Sequence, residues 1–172
     1  MSRALAACSL LLAAGCGMAA GAPLEVPFFR QAKNGCGAAS VAMVAHYWSR
    51  HGAKEPAAPP SPQRIYARLY DSERRGIPLA DMRRYLAQLG YRAFTFRGQW
   101  QDLERHLSKG RPVIVGLRKG PSKDLHFVVL TGTDGKRVWL NDPTRSRPQR
   151  MKRAAFEKRW TLAERWMLLA TP

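Results

Sequence analysis

Residues 31–40 read QAKNGCGAAS and place a cysteine between two glycines, directly before an Ala-rich stretch. From Ala38 to Arg50, apolar residues such as Val41, Val44 and Trp48 recur at helical spacing, which predicts a helix beginning beside the cysteine. The N–H groups and the dipole at the start of a helix stabilise negative charge. A cysteine there therefore has a lowered pKa and a larger thiolate fraction. The pattern indicates a reactive thiol, and the alternative is a buried cysteine that acts as a small apolar residue.

Gln31 lies five residues before Cys36 and supplies a second group for the same chemistry. Its side-chain NH₂ and the backbone N–H of Cys36 can together bind the oxyanion of a tetrahedral intermediate. The flanking glycines let backbone and substrate approach closely. These features meet the needs of an acyl-transfer nucleophile, with Cys36 attacking and Gln31 supporting the oxyanion.

Outward from this stretch, helices are predicted mainly in the first half of the chain and strands in the second. Residues 23–30 are predicted as an extended strand before the cysteine helix, and further helices are expected to begin at Ser61-Pro62, Pro78 and Gln99. Strands are predicted over 91–96, 112–117, 126–131, 138–140 and 166–169, with a helix over 154–160. This order predicts an α+β fold in which N-terminal helices, including the cysteine helix, pack on an antiparallel sheet.

A thiol nucleophile needs a base, and the chain has four histidines. His46 lies on the cysteine helix, roughly 15 Å along it from Cys36, and cannot reach the thiol. His51 at the end of that helix and His106 on a short polar helix are predicted to be exposed. His126 differs because it begins an apolar strand, although a lone histidine in such a place is more often structural than catalytic.

Asp142 makes the catalytic interpretation of His126 the stronger one. Asp134-Gly135 is a hairpin turn signal between the strand that begins at His126 and the strand that ends before Asp142. In a hairpin the start of the first strand and the end of the second are neighbours, so Asp142 is expected beside His126. A carboxylate there can orient the imidazole and hold its tautomer. The alternative for Asp142 is a simple Asp-Pro turn.

Three segments, taken in order, resemble one family. VPFFRQAKNGCGAAS at 26–40, HFVVLTG at 126–132 and NDP at 141–143 are similar to the active-site segments of the bacteriocin-processing, double-glycine leader peptidases, which are papain-like cysteine peptidases. The resemblance covers nearly all of the chain after residue 22. It implies a papain-like fold and a peptide or protein substrate.

By the same resemblance, Cys36 attacks the substrate, His126 is the base, Asp142 orients the base and Gln31 supports the oxyanion. The best-known members of the family are peptidase domains fused to ABC transporters. This chain has no transporter segments and no P-loop, and Ala38 stands where a proline is common. It is therefore closer to stand-alone, lipoprotein-like members, and the double-glycine substrate does not carry over.

Residues 1–22 are predicted to be a signal segment, and residues 23–172 the peptidase domain. A basic start, a short apolar run and small residues are typical of a secretory signal, and the run is too short to span a bilayer. Ala-Ala-Gly-Cys at 13–16 resembles a lipoprotein box that would leave a lipid on Cys16, and the alternative is cleavage after Ala22. Either route predicts a bacterial cell-envelope protein, lipid-anchored facing the periplasm or else periplasmic or secreted. Cys8 leaves with the signal, so Cys36 is the one free thiol of the mature domain.

The formal net charge of +17 comes from 29 basic and 12 acidic residues. Such a balance suggests anionic partners, of which an anionic envelope surface is one. The basic residues are spread along the chain without a nucleic-acid-binding motif, which favours a solvated Arg-rich surface and predicts no specific nucleic-acid partner.

Four functions are compatible with these features. The first is a cysteine peptidase that uses Cys36. The second is a peptide-binding module with an idle site, the third is an envelope acyl or amide transferase with the same triad, and the fourth, binding of an acidic polymer, rests on charge alone. No Cys/His cluster has zinc spacing, so no metal or cofactor is predicted.

Overall fold

The computed structural model describes residues 22–52, 58–118, 120 and 124–172. The predicted signal segment and Cys16 lie outside this part of the chain, apart from residue 22. Within it, helices precede most of the strands, and the predicted α+β class is confirmed. The elements are α1 (Cys36–His51), α2 (Pro62–Leu69), α3 (Leu79–Gln88), β1 (Arg92–Arg97), α4 (Trp100–Ser108), β2 (Val113–Leu117), β3 (His126–Thr133), β4 (Arg137–Asn141), β5 (Gln149–Lys152), α5 (Arg153–Leu162) and β6 (Trp166–Thr171).

The strands form one antiparallel sheet in the order β1-β6-β2-β3-β4-β5. β6 inserts between β1 and β2 and is therefore paired on both sides. β3 and β4 form the hairpin predicted from Asp134-Gly135, with Val129 opposite Asn141 and a register shift between Leu130 and Gly132. The hairpin holds the residues that follow β4 beside the start of β3.

Helix α1 is buried along most of its length against β2 and β3. Its alanines allow close contact with the sheet, and Trp48 fixes its far end by donating from Nε1 to the carbonyl oxygen of Ala170 at 2.8 Å. Helices α4 and α5 pack on the other face through side chains such as Leu103, Phe156 and Trp160. An apolar layer therefore covers each face of the sheet, and the layer that includes α1 fixes where that helix begins.

Two segments differ from the sequence-based prediction. Residues 23–30 are not a strand, because this segment makes only isolated contacts such as the 2.8 Å hydrogen bond from the Leu24 N–H to the Thr131 carbonyl. Residues 149–152 do form a strand, β5, which the pattern did not predict. Its two outward side chains are Arg150 and Lys152, and such a short charged segment has no apolar alternation to reveal it.

Among the described residues, no helix is both long enough and apolar enough to cross a membrane.

Candidate active site

Cys36 is the first residue of α1 and is half-buried, with a free thiol. At this position its backbone N–H has no acceptor within the helix. The next residue, Gly37, is pressed against the α2–α3 connection: a Cβ there would lie 3.1 Å from Cβ of Ile77 and 3.2 Å from Sδ of Met82. The small size of this glycine therefore serves packing that fixes the start of the helix, and its expected role in substrate approach stays a prediction.

His126 lies at the start of β3 and lines the same cleft as Cys36, close enough for each side chain to shift the pKa of the other. Burial by itself would raise the pKa of Cys36. The hydrogen bonds from His126 and from the backbone of Phe127 outweigh that effect and lower the pKa of the thiol. β3 thus supplies two groups that stabilise a thiolate at position 36.

Asp142 directly follows β4 and is the third side chain of the site, after Cys36 and His126. Its Oδ1 lies 2.7 Å from Nε2 of His126, which leaves Nδ1 as the ring nitrogen available to the thiol. Burial by itself would raise the pKa of Asp142, but hydrogen bonds from His126 and Thr144 lower it to about 2. The hairpin prediction that placed Asp142 beside His126 therefore agrees with the observed geometry.

Thr144 was not predicted from the sequence. Its backbone N–H and its Oγ1 both lie close to Oδ1 of Asp142, at 3.0 and 2.7 Å. The sequence does contain a signal for this contact, because the carboxylate of an Asp that begins a turn commonly accepts from the residue two positions later. The sequence offers a turn and a catalytic role as alternatives for Asp142, whereas in the structure the turn orients the carboxylate.

The protonation states follow from this arrangement. Burial by itself would lower the pKa of His126, but its hydrogen bonds to Asp142 and Cys36 raise the pKa to about 9. The pKa of Cys36 is lowered at the same time, so both shifts favour the ion pair of thiolate and imidazolium over the neutral pair.

Gln31 lines the same cleft as Cys36 and His126. Its backbone N–H donates to the Pro143 carbonyl at 3.0 Å, which ties the segment before the nucleophile to the loop that carries Asp142. Its Oε1 is buried and has no hydrogen-bond partner among the described residues. This unpaired atom is an acceptor, so the predicted oxyanion role of Gln31 rests on its side-chain NH₂.

The cleft has a volume of about 420 Å³ and runs between two parts of the chain. One wall is the α2–α3 connection, residues 74–79, and the other comprises the residues from Asp124 to Phe127. Arg75 and Asp124 form an exposed ion pair between these walls, at 3.8 Å. His126 was predicted, but the wall formed by residues 74–79 was not, because its role depends on the packing of α2 and α3 beside α1 rather than on any local pattern.

The other histidines lie away from Cys36. His46 is on α1, with its ring 4.9 Å from that of Phe29, and His51 is exposed and stacks on Tyr47 at 4.3 Å. His106 was expected to be exposed, but it is half-buried near Phe96, and burial lowers its pKa. The polar residues around it in sequence face solvent while its ring turns inward.

Iodoacetamide is expected to modify Cys36 rapidly well below about pH 8, where an ordinary thiol reacts slowly because little thiolate is present. The rate is measured as a function of pH by mass spectrometry of the peptide that contains Cys36. The same chain unfolded in urea is the control, and its rate should rise only near the ordinary thiol pKa. A folded chain that follows the unfolded profile would contradict the thiolate assignment.

Comparisons with known proteins add a family and a fold. The model of the Peptidase_C39 like family matches residues 23–166. No curated protein matches the chain. The peptidase domain of Streptococcus ComA, a bi-functional ABC transporter involved in quorum sensing, superimposes with a TM-score of 0.66 at 19% identity, over 87% of this chain and 98% of that one.

Two further solved structures give the same result. A putative C39-like peptidase from Bacillus anthracis has a TM-score of 0.66 at 16% identity, over 87% of this chain and 97% of its own. A double glycine motif protease from an AMS/PCAT transporter, in complex with its leader peptide, has a TM-score of 0.66 at 23% identity, over 87% and 94% of the two chains. The predicted papain-like fold is confirmed by these likenesses.

Proposed function

The chain belongs to the Peptidase_C39 like family, and on that premise we propose that it is a cysteine peptidase whose nucleophile is Cys36. The observation that carries the proposal is the 2.7 Å contact between Nε2 of His126 and Oδ1 of Asp142, in a cleft that is also lined by Cys36 and where His126 lowers the pKa of that thiol. A family fold alone would not require these three side chains to be connected.

The reaction proceeds through an acyl-enzyme. The Cys36 thiolate attacks the peptide carbonyl carbon, and the carbonyl oxygen becomes an oxyanion that accepts from the Cys36 N–H and the Gln31 side chain. The His126 imidazolium donates its proton to the leaving amine as the C–N bond breaks. A water then attacks the thioester, His126 accepts its proton, and the carboxylic acid product leaves with the thiolate restored.

Asp142 acts through His126 in this scheme. Its carboxylate accepts from Nε2 at 2.7 Å and so keeps Nδ1 directed to the thiol, and its negative charge favours the imidazolium. Thr144 holds the carboxylate in turn. Since no step needs an electrophile beyond these groups, peptide hydrolysis requires only the side chains of this site and water.

We place this activity in the bacterial cell envelope, with Cys16 carrying a lipid. The support is the sequence of residues 1–16, in which a basic start and an apolar run precede Ala-Ala-Gly-Cys. Mass spectrometry of the N-terminal peptide from envelope fractions distinguishes an acylated Cys16 from a chain that starts at Pro23, and the latter would contradict the anchor.

The substrate class is peptide or protein, and the experiment that tests it is incubation of the purified chain with a proteome-derived peptide library. New N-termini detected by mass spectrometry are the expected result. Peptides joined to an added amine instead of cleaved would show acyl transfer rather than hydrolysis. A library left intact by a chain whose Cys36 reacts as a thiolate would favour a binding module and contradict the proposal.

A further inference from the structure

The outer strands β4 and β5 carry a basic surface away from the candidate active site. In their register Arg137 faces Lys152 and Trp139 faces Arg150, so these four side chains share one face of the sheet. Val138, Leu140 and Met151 alternate to the opposite face and pack in the core with α4 and α5. The four residues Arg137, Trp139, Arg150 and Lys152 are called the basic sheet face.

The cations of this face are exposed and make no direct ion pair within the described part of the chain. Arg137, Arg150 and Lys152 are all exposed, and none of them takes part in an ion pair within the described part of the chain. Two carboxylates lie nearby. Asp134 accepts from backbone N–H groups in the turn, and the charge of Arg137 helps to lower its pKa; Glu157 pairs with Arg153 at 3.3 Å. The face therefore presents a positive potential to whatever approaches it.

An aromatic side chain lies among these cations. Trp139 is half-buried, and the guanidinium of Arg150 lies over its ring at 5.6 Å from the centroid. Indole rings favour the boundary between water and the acyl chains of a bilayer, where basic side chains meet the headgroup phosphates. A face of this composition is therefore better suited to contact with an anionic bilayer surface than to exposure to water alone.

The N-terminal segment reaches the domain at this same face. A Cβ on Gly132 would lie 3.1 Å from Cα of Pro23 and 3.5 Å from the ring of Trp139, so Pro23 sits beside the basic sheet face. The chain from Cys16 to Pro23 can extend over roughly 25 Å at most. A lipid on Cys16 would hold this face, rather than another, near the bilayer.

The end of the face that carries Arg137 and Lys152 is separated from the cleft. Arg137 and Lys152 pair at the start of β4, whereas Asp142 follows its end, about 17 Å away along an extended strand. A surface bound at the start of β4 leaves the walls of the cleft, on the α2–α3 connection and before β3, open to a peptide.

We propose that the basic sheet face binds anionic phospholipid headgroups and lays the domain against a membrane surface. The proposal does not depend on peptidase activity. A lipid on Cys16 would fix one point of the chain and leave the domain free to turn, whereas a cationic surface beside it supplies a second attachment. Nucleic acid is the competing anionic partner, and the position of the N-terminal segment favours the membrane over it.

The test is sedimentation of the purified chain with vesicles of phosphatidylcholine, with or without phosphatidylglycerol. The chain carries Cys16→Ser so that no lipid can be attached. Binding is expected only with phosphatidylglycerol and should weaken as salt is raised, because the headgroup potential is screened. Each cation at the surface is worth about fivefold in partitioning, so Arg137→Gln, Arg150→Gln and Lys152→Gln together should weaken binding on the order of a hundredfold.

The matched control neutralises three exposed cations elsewhere, Arg64→Gln, Arg92→Gln and Lys109→Gln, with the same change in net charge. It should retain binding within a few-fold. Thermal unfolding checks that both variants are folded. If the triple test variant is not folded, the single variant Arg150→Gln replaces it, and its vesicle binding should weaken about fivefold. Equal losses in test and control variants would overturn the proposal. So would a loss of duplex DNA binding with vesicle binding unchanged, which would assign the face to nucleic acid.

Discussion

Replacement of Cys36 by alanine is expected to lower peptide cleavage by at least about 10⁴-fold, the scale seen when a covalent nucleophile is removed. The loss falls on kcat because the remaining cleft still binds the peptide, whereas the acyl-enzyme has no sulfur on which to form. Cleavage is measured on a peptide identified from the library, under conditions in which the wild-type chain gives single turnovers within minutes. Cys36→Ser should be similarly impaired, since a hydroxyl is not ionised by His126.

The control for the Cys36 variant is Ser40→Ala, one turn further along α1. The Ser40 hydroxyl is fully buried and has no hydrogen-bond partner among the described residues, so its removal leaves the helix and the site in place. Both variants should unfold within about 4 °C of the wild-type chain. Full activity in Cys36→Ala would remove the nucleophile from the proposal, and an equal loss in Ser40→Ala would indicate that the helix, not the thiol, is what matters.

The sequence predicts this site well where short-range geometry determines it. Cys36 is placed by the start of a helix whose apolar period is visible in residues 38–50, and Asp142 is placed beside His126 by a hairpin with a recognisable turn. Both relations involve elements that are adjacent in the chain. They can therefore be derived without knowing how distant parts of the fold pack.

Other features depend on contacts between elements that are far apart in sequence. The meeting of Cys36 and His126 requires α1 to pack on β3, which lies far along the chain, and no local pattern predicts that packing. The sequence indicates His126 only by the exclusion of the other histidines, by its pairing with Asp142 and by the resemblance to a family. The cleft wall from Arg74 to Leu79 and the inward ring of His106 have no local signal at all. Strand β5 was missed because its pairing with β4 overrides a composition that is charged and short.

Two replacements of Asp142 are expected to distinguish its two effects on His126, which are orientation of the ring and stabilisation of the ring's positive charge. In Asp142→Ala the ring loses its only partner at Nε2 in the described structure, and kcat/KM should fall by about 10²–10⁴-fold, the usual worth of a positioned acid–base group. Asp142→Asn keeps an oxygen that accepts from Nε2, so its loss at neutral pH should be smaller, roughly tenfold. Asp134→Asn, in the turn of the same hairpin, is the matched control and should leave activity unchanged.

The pH profile gives the sharper outcome. Catalysis needs the imidazolium, which exists below the pKa of His126; that pKa is about 9, so wild-type activity should decline as pH rises through about 9. The side-chain amide introduced by Asp142→Asn carries no negative charge, and the pKa of His126 in that variant should therefore fall toward its ordinary value, about 6.5. The alkaline limb of kcat/KM is then expected to move to lower pH by more than about one unit, an effect that a merely structural aspartate would not produce. An unshifted limb in a folded Asp142→Asn variant would mean that Cys36, not Asp142, sustains the imidazolium, and the triad would reduce to a Cys–His pair.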